Sequence, residues 1–73
     1  MLYYKKDDRY FVRLDAVKHE YLELFDGLDQ TRIMRISNIN LYNDLSDRIQ
    51  NSSPQTISNI EFESKLLEVK NKL

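Results

Sequence analysis

The chain has 73 residues, of which 11 are basic and 12 acidic, and it contains no cysteine. A chain of this length supports one domain with a small core, and without cysteine neither disulfides nor thiolate-bound metal can reinforce that core. Its formal net charge of −1 argues against bulk electrostatic binding to nucleic acid or an anionic membrane, which requires a clear positive excess. We therefore expect residues 1–73 to form a single compact domain.

The first half of the chain has the two-residue period of β-strands. Short runs rich in Tyr, Phe, Val, Ile and Leu alternate with turn residues, and Asp26-Gly27 is the strongest turn signal because Gly tolerates positive φ. Connections this short join only antiparallel neighbours. We therefore predict an antiparallel meander of about four short strands within residues 2–37, from runs at residues 2–6, 9–14, 19–25 and 31–37.

The first hairpin is predicted to turn in a two-residue loop at residues 7–8. In that register Tyr3 faces Val12 on one side of the sheet, and Tyr4 faces Phe11 on the other. One side of the sheet would then face the core, and the other would be a partly aromatic outer face.

The next segment has a helical period and predicts a first helix over about residues 40–50, with Asn38 or Asn40 as its N-cap. Asp44 and Arg48 have the spacing of an i,i+4 ion pair on this helix. Its apolar stripe consists of Leu41, Leu45 and Ile49, and Tyr42 flanks this stripe.

A loop over residues 51–55 separates this helix from a second one, predicted over about residues 58–72. Ser58 and Glu61 have the spacing of a capping box, and Ile57 and Phe62 have that of a hydrophobic staple. The apolar stripe of the second helix consists of Phe62, Leu66, Val69 and Leu73. We predict an α+β fold in which both helices pack on one face of the sheet.

Few residues in the chain are suited to catalysis. His19 is the single histidine, and we interpret it as a surface or cross-strand residue. A closed zinc site needs four ligands, and a phosphate-binding loop needs more glycine than Gly27 alone. The paired carboxylates that could hold Mg²⁺ are explained by turns, a helix start and a cap. We therefore predict no enzymatic activity, no catalytic residue, no cofactor and no metal site.

The first hairpin carries a cluster of aromatic and basic side chains. Tyr and Arg are enriched at the centres of protein interfaces, and aromatic residues with cations also stack on bases and contact phosphates of single-stranded RNA or DNA. Alternatively, half of the aromatic residues belong to the core and the cations protect a sheet edge from aggregation. The predicted partner-binding residues are Tyr4, Lys6, Arg9, Phe11 and Arg13.

The whole chain resembles, in size and layout, the small proteins that phages and mobile elements use against their hosts, including anti-CRISPR proteins. The resemblance rests on one small α+β domain, few Gly and Ala residues, many Asn, Ile and Lys residues, and no evident catalytic chemistry. It implies a protein that occupies a large host enzyme, often a nucleic-acid-guided nuclease. No residue matches a family motif, so the resemblance assigns no functional residue.

We expect a non-enzymatic inhibitor or adaptor that binds a larger protein, such as an enzyme that handles RNA or DNA. One alternative is a small single-stranded RNA- or DNA-binding domain that uses the same hairpin. Another is a self-associating structural or regulatory protein that buries apolar surface in a homodimer. No segment reaches the ~18 apolar residues of a membrane helix, and the residues after Met1 lack the apolar region of a signal peptide. We therefore expect a cytoplasmic location.

Overall fold

A computed structural model describes all 73 residues and contains a five-stranded antiparallel sheet with two helices. The α+β class and the meander of the first four strands are confirmed. The strand order is β4-β3-β2-β1-β5, and both helices are too short and too polar to cross a bilayer. In chain order the elements are β1 (Leu2–Lys6), β2 (Tyr10–Asp15), β3 (Glu20–Asp26), β4 (Thr31–Ser37), α1 (Ile39–Asn51), β5 (Gln55–Thr56) and α2 (Asn59–Lys72).

The two helices cover opposite faces of the sheet, so the prediction that both pack on one face is wrong. Helix α1 packs in a hydrophobic cluster with Val12 and Leu14, which we call the α1 cluster. Helix α2 packs in a separate cluster with Phe11 and Leu24, the α2 cluster. Because successive strand residues point to opposite sides, Phe11 and Val12 mark the two faces. We call them the α2 face and the α1 face, respectively. Four consecutive residues of β3, 21–24, are buried because the sheet is covered on both sides.

The path of the chain explains this two-sided arrangement. Helix α1 follows β4 at one edge of the sheet and leads to β5 at the opposite edge. The chain then passes around that edge, where the Ile57 N–H donates to the Tyr3 carbonyl at 3.0 Å. Helix α2 therefore starts on the other face. The sequence analysis interpreted residues 51–55 as a loop and did not predict β5.

The first hairpin has a three-residue loop, with Lys6 paired to Tyr10, instead of the predicted two-residue loop. In this register Tyr4 pairs with Val12 on the α1 face, and Tyr3 pairs with Arg13 on the α2 face. A shift of one residue moves a whole strand's side chains relative to its partner. The predicted pairs Tyr3–Val12 and Tyr4–Phe11 are therefore wrong, and neither face is left as an open outer face.

The turn between β3 and β4 is confirmed at Gly27, but for a different reason from the predicted one. No glycine has a positive φ in this structure. The Gly27 N–H donates to the Gln30 carbonyl at 2.8 Å, and a Cβ atom at Gly27 would meet the same oxygen at 3.0 Å. Close approach of the backbone, more than a left-handed conformation, makes a side chain unfavourable here.

Both predicted helices are confirmed, and no helix end differs from its predicted position by more than one residue. The Asn38 side chain accepts a hydrogen bond from the Leu41 N–H, and Ser58 accepts one from the Glu61 N–H at 3.0 Å. The Glu61 carboxylate does not complete the capping box but accepts from Lys5 Nζ at 2.9 Å. Side chains at the N-caps therefore define where each helix begins.

The apolar stripe of each helix includes one residue that the structure leaves exposed. On α1, Tyr42 is buried at 7% exposure, whereas Leu41 is 47% exposed. On α2, Phe62 and Val69 are fully buried, but Leu73 is exposed at the C-terminus. The predicted stripes were therefore correct in their central members and wrong in Leu41 and Leu73.

Asp26 connects the end of β3 to α2 through two lysines. Its carboxylate lies 2.7 Å from Lys65 Nζ and 2.9 Å from Lys72 Nζ, and its side chain is 11% exposed. Hydrogen bonds from these two lysines hold the pKa of Asp26 at about 2, below its ordinary value of 3.8. The charged form of Asp26 is therefore stabilised by folding.

We expect the ion pairs of Asp26 with Lys65 and Lys72 to make the stability of the protein depend on pH in the acid range. Because the folded-state pKa of Asp26 is depressed, its contribution to stability is present above pH 3.8 and is lost as the pH falls toward about 2. Asp26→Asn should lower the melting temperature at pH 6, and its difference from the parent should shrink below pH 4. Thermal melts at several pH values measure this, with Asp29→Asn in the adjacent exposed loop as the control. An equal effect of Asp26→Asn at every pH would contradict the assignment.

Candidate binding surface

Four side chains from four neighbouring strands form a row across one end of the α1 face. Lys6 pairs with Tyr10, Tyr10 with Phe25, and Phe25 with Arg32. Adjacent strands lie ~4.8 Å apart, so the row is ~14 Å wide. We call these four residues the end row: Lys6, Tyr10, Phe25 and Arg32.

The end row presents two aromatic rings between two exposed cations. The Tyr10 and Phe25 ring centroids are 5.2 Å apart with a 57° angle between the planes. The Arg32 guanidinium carbon lies 4.5 Å from the Phe25 centroid, in cation–π contact. Phe25 is only half-buried and belongs to neither hydrophobic cluster. Its ring therefore lies at the surface and is held in place by Tyr10 and Arg32.

A buried carboxylate fixes the orientation of Tyr10. The Tyr10 hydroxyl donates a short hydrogen bond to Glu23 Oε2, and Glu23 is only 9% exposed. Burial raises the pKa of Tyr10 most, and the hydrogen bond to Glu23 raises it further. The hydroxyl therefore stays protonated and remains a donor. The carboxylate nearest to the rings is therefore hydrogen-bonded below the surface.

A groove of about 520 Å³ adjoins the end row on the α1 side. Arg48 projects into its lining from α1, opposite Arg32 and Met34 of β4. Neither arginine makes an ion pair, and the predicted Asp44–Arg48 pair does not form. The groove is therefore lined by two guanidinium groups without ion-pair partners and by the Glu23 carboxylate, which is 9% exposed.

The ion pairs of the protein lie on the other side of the sheet. Every one of them involves α2 or Lys5, whose side chain points to the α2 face. The hydrogen bond and charge of Glu61 raise the pKa of Lys5, and those of Asp26 raise the pKa of Lys72. All ion pairs therefore lie on the α2 side, whereas Lys6, Arg32 and Arg48 on the α1 side make none.

The five predicted binding residues do not form one surface. Lys6 belongs to the end row, and Tyr4 lies beside it on the α1 face, half-buried against the α1 cluster. Arg9 is exposed in the hairpin loop. Phe11 is 3% exposed in the α2 cluster, and Arg13 lies on the α2 face, 3.5 Å from Glu63.

Only Lys6 of the end row was among the predicted binding residues. Tyr10 was left out although it lies in the same hairpin, and Phe25 and Arg32 were missed. Both fall in predicted strands, but their place beside Tyr10 depends on the three-residue hairpin loop and on the pairing of three successive strands. The alternation of β4, in which Arg32, Met34 and Ile36 share one face, is the signal that would have placed Arg32. For Phe25 the sequence offers no signal beyond its place directly before the Asp26-Gly27 turn.

His19 lies in a turn and not within a strand as predicted. It has a φ of 52°, and its ring meets the Tyr42 ring edge-on at 5.4 Å between centroids. No three His, Asp or Glu side chains gather into a site that could hold a metal ion.

No known protein family, curated protein or solved structure matches this chain.

Proposed function

We propose that this protein is a non-enzymatic binding protein that acts as an inhibitor or adaptor, and that it docks on an acidic surface of a larger protein through the end row and the adjoining groove. The observation that carries the proposal is the position of Phe25. Its ring lies outside both hydrophobic clusters, yet it is in contact with the tilted Tyr10 ring and with the unpaired Arg32. Enzymes that handle RNA or DNA are the first candidate partners.

The energetics of interfaces favour such a surface. Aromatic and Arg side chains supply most hot-spot energy, and rings that are already oriented lose little conformational entropy on binding. Arg32 and Arg48 make no ion pair within the protein. A partner's carboxylates can therefore bind them without breaking an existing ion pair. Complementary charge would also accelerate association.

A second function, binding of single-stranded RNA or DNA, is favoured by the same row. Two rings side by side on a sheet, flanked by Lys6 and Arg32, match the surface on which single-stranded bases stack. The two functions differ in their dependence on salt and nuclease. Nucleic-acid binding should fall steeply with salt, because phosphate contacts release counterions.

The decisive experiment combines affinity capture from host lysate, with and without nuclease, with variants of the end row. For a protein partner, Phe25→Ala should raise the dissociation constant at least tenfold, about 1.4 kcal/mol. Arg32→Glu should weaken binding by a similar factor, and capture should survive nuclease treatment.

Leu67→Ala and Lys70→Glu are matched controls, because both residues are exposed on α2 and Lys70 makes no ion pair. Loss of every captured partner after nuclease treatment would favour RNA or DNA binding. Light scattering at micromolar concentration tests the third alternative, a homodimer. Normal binding by folded Phe25→Ala and Arg32→Glu variants would exclude the end row as the binding surface.

A further inference from the structure

The strand β4 forms a free edge of the sheet. It is seven residues long and pairs only with β3, whereas the opposite edge, β5, has two residues. An edge strand offers a row of unpaired backbone N–H and C=O groups to another chain. Short strands and coverage by other elements usually protect such edges, and β4 is a full-length strand.

The hydrogen bonds of the β3–β4 hairpin define which backbone groups of β4 point outward. Gly27 donates to the Gln30 carbonyl at 2.8 Å, so these two residues are a hydrogen-bonded pair. Hydrogen-bonded and non-hydrogen-bonded pairs alternate along an antiparallel ladder. Phe25 and Arg32 are therefore also a hydrogen-bonded pair, whereas Leu24 and Ile33 are a non-hydrogen-bonded pair. The residues whose N–H and C=O groups point away from β3 are Thr31, Ile33, Arg35 and Ser37.

The charge of this edge is of one sign. Strand β4 contains Arg32 and Arg35, both exposed, and no acidic residue. Neither arginine makes an ion pair within the protein. Pairing of β4 with a second copy of itself would align four arginines along one ladder, which is unfavourable because like charges repel across paired strands.

We propose that β4 accepts an extended acidic segment of a partner protein as a sixth strand. Arg32 and Arg35 lie three residues apart and project to opposite faces, with Ile33 and Met34 between them. A complementary strand therefore carries two acidic residues separated by two apolar ones. Main-chain hydrogen bonds supply affinity, and the arginines and half-buried apolar side chains select the sequence.

This site is distinct from the end row, although Arg32 lies in both. The end row binds through side chains on the α1 face, whereas strand addition uses the outward backbone groups and Arg35 on the α2 face. Ile33, which packs against the α2 cluster, would lose its remaining exposure beneath an added strand. The test below uses a peptide and Arg35, so it does not depend on whether the end row binds a protein.

The test uses a blocked six-residue peptide, acetyl-Thr-Glu-Val-Val-Glu-Thr-amide, and a control in which both Glu residues are replaced by Lys. Backbone amide exchange is followed by NMR as each peptide is added. The Glu peptide should slow exchange at the outward amides at least tenfold, and the Lys peptide should bind at least tenfold more weakly. The amide of Met34, which already points to β3, should change little.

Variants separate the backbone contribution from the charge. Arg35→Ala removes the charge but keeps the outward N–H, and should weaken the Glu peptide about tenfold. Arg35→Pro also removes the N–H without breaking a bond to β3, and should abolish binding. Lys70→Ala, an exposed and unpaired cation on α2, is the control and should have no effect.

Three results would overturn the proposal: binding of the Glu peptide without protection of the outward amides, equal binding of the Glu and Lys peptides, or protection of these amides without peptide in a sample that light scattering shows to be dimeric. The last result would assign β4 to a second copy of the chain. If Arg35→Pro fails to fold, the peptide pair and the amide readout on the parent protein still decide.

Discussion

Phe62→Ala is expected to lower the free energy of unfolding by about 3–5 kcal/mol. The Phe62 ring is completely buried in the α2 cluster. It lies 5.5 Å from the Tyr3 ring and 5.6 Å from the Arg13 guanidinium carbon. Its loss would leave a cavity lined by residues of the sheet and α2. A core of this size supplies about 3–5 kcal/mol in total, so the variant should be largely unfolded at 25 °C.

Circular dichroism and urea denaturation measure this effect directly. Ile60→Ala is the control, because Ile60 lies on the same helix and is 81% exposed. The control should change the stability by less than about 0.5 kcal/mol. A Phe62→Ala variant with the parent's melting temperature would show that α2 does not pack on the sheet through this face.

The local elements of this protein were predictable from sequence because short-range interactions define them. Ser58 caps α2, and the staple residues Ile57 and Phe62 are both buried in one cluster. Asn38 caps α1. Each of these interactions joins residues within a few positions of each other, so the spacing in the sequence already contains the geometry.

The arrangement of the elements was not predictable from the same patterns. Both faces of the sheet carry apolar residues. The alternation in β2 and β3 therefore could not show whether the two helices cover the same face or opposite faces. Helix α1 takes the chain across the sheet to β5 at the opposite edge, and β5 has only two residues and no strand pattern. The helices are separated because of this short connection.

The candidate binding surface was also predictable only in its local part, the first hairpin. The combination of aromatic and basic residues was visible in the first hairpin, but a single extra loop residue placed Tyr4 and Phe11 on opposite faces. Lys6 is the one predicted residue that lies in the end row. Its neighbours there, Phe25 and Arg32, are brought in by pairings that span much of the sheet.

Leu45→Ala on the opposite side of the sheet is expected to cost about 2–5 kcal/mol. Leu45 is 4% exposed and packs in the α1 cluster with Tyr42 and Ile49. Leu41→Ala is the matched control, since Leu41 is a leucine of the same helix at 47% exposure. Urea denaturation should show a large loss for the first and less than about 1 kcal/mol for the second. Equal losses would mean that the helix is rotated and that Leu41 contacts the sheet.

A milder change at the same cluster tests whether α1 and α2 lie on opposite faces. Ile49→Val should cost only about 0.5–1.5 kcal/mol, so the variant should stay folded and give good methyl NMR spectra. Ile49 is 5% exposed and shares its cluster with Val12 and Leu14, whereas Leu22 and Leu24 belong to the α2 cluster. The methyl signals of Val12 and Leu14 should therefore shift, and those of Leu22 and Leu24 should move much less. Shifts of similar size in both pairs would place the two helices on one face, and would remove the open end of the α1 face on which the end row depends.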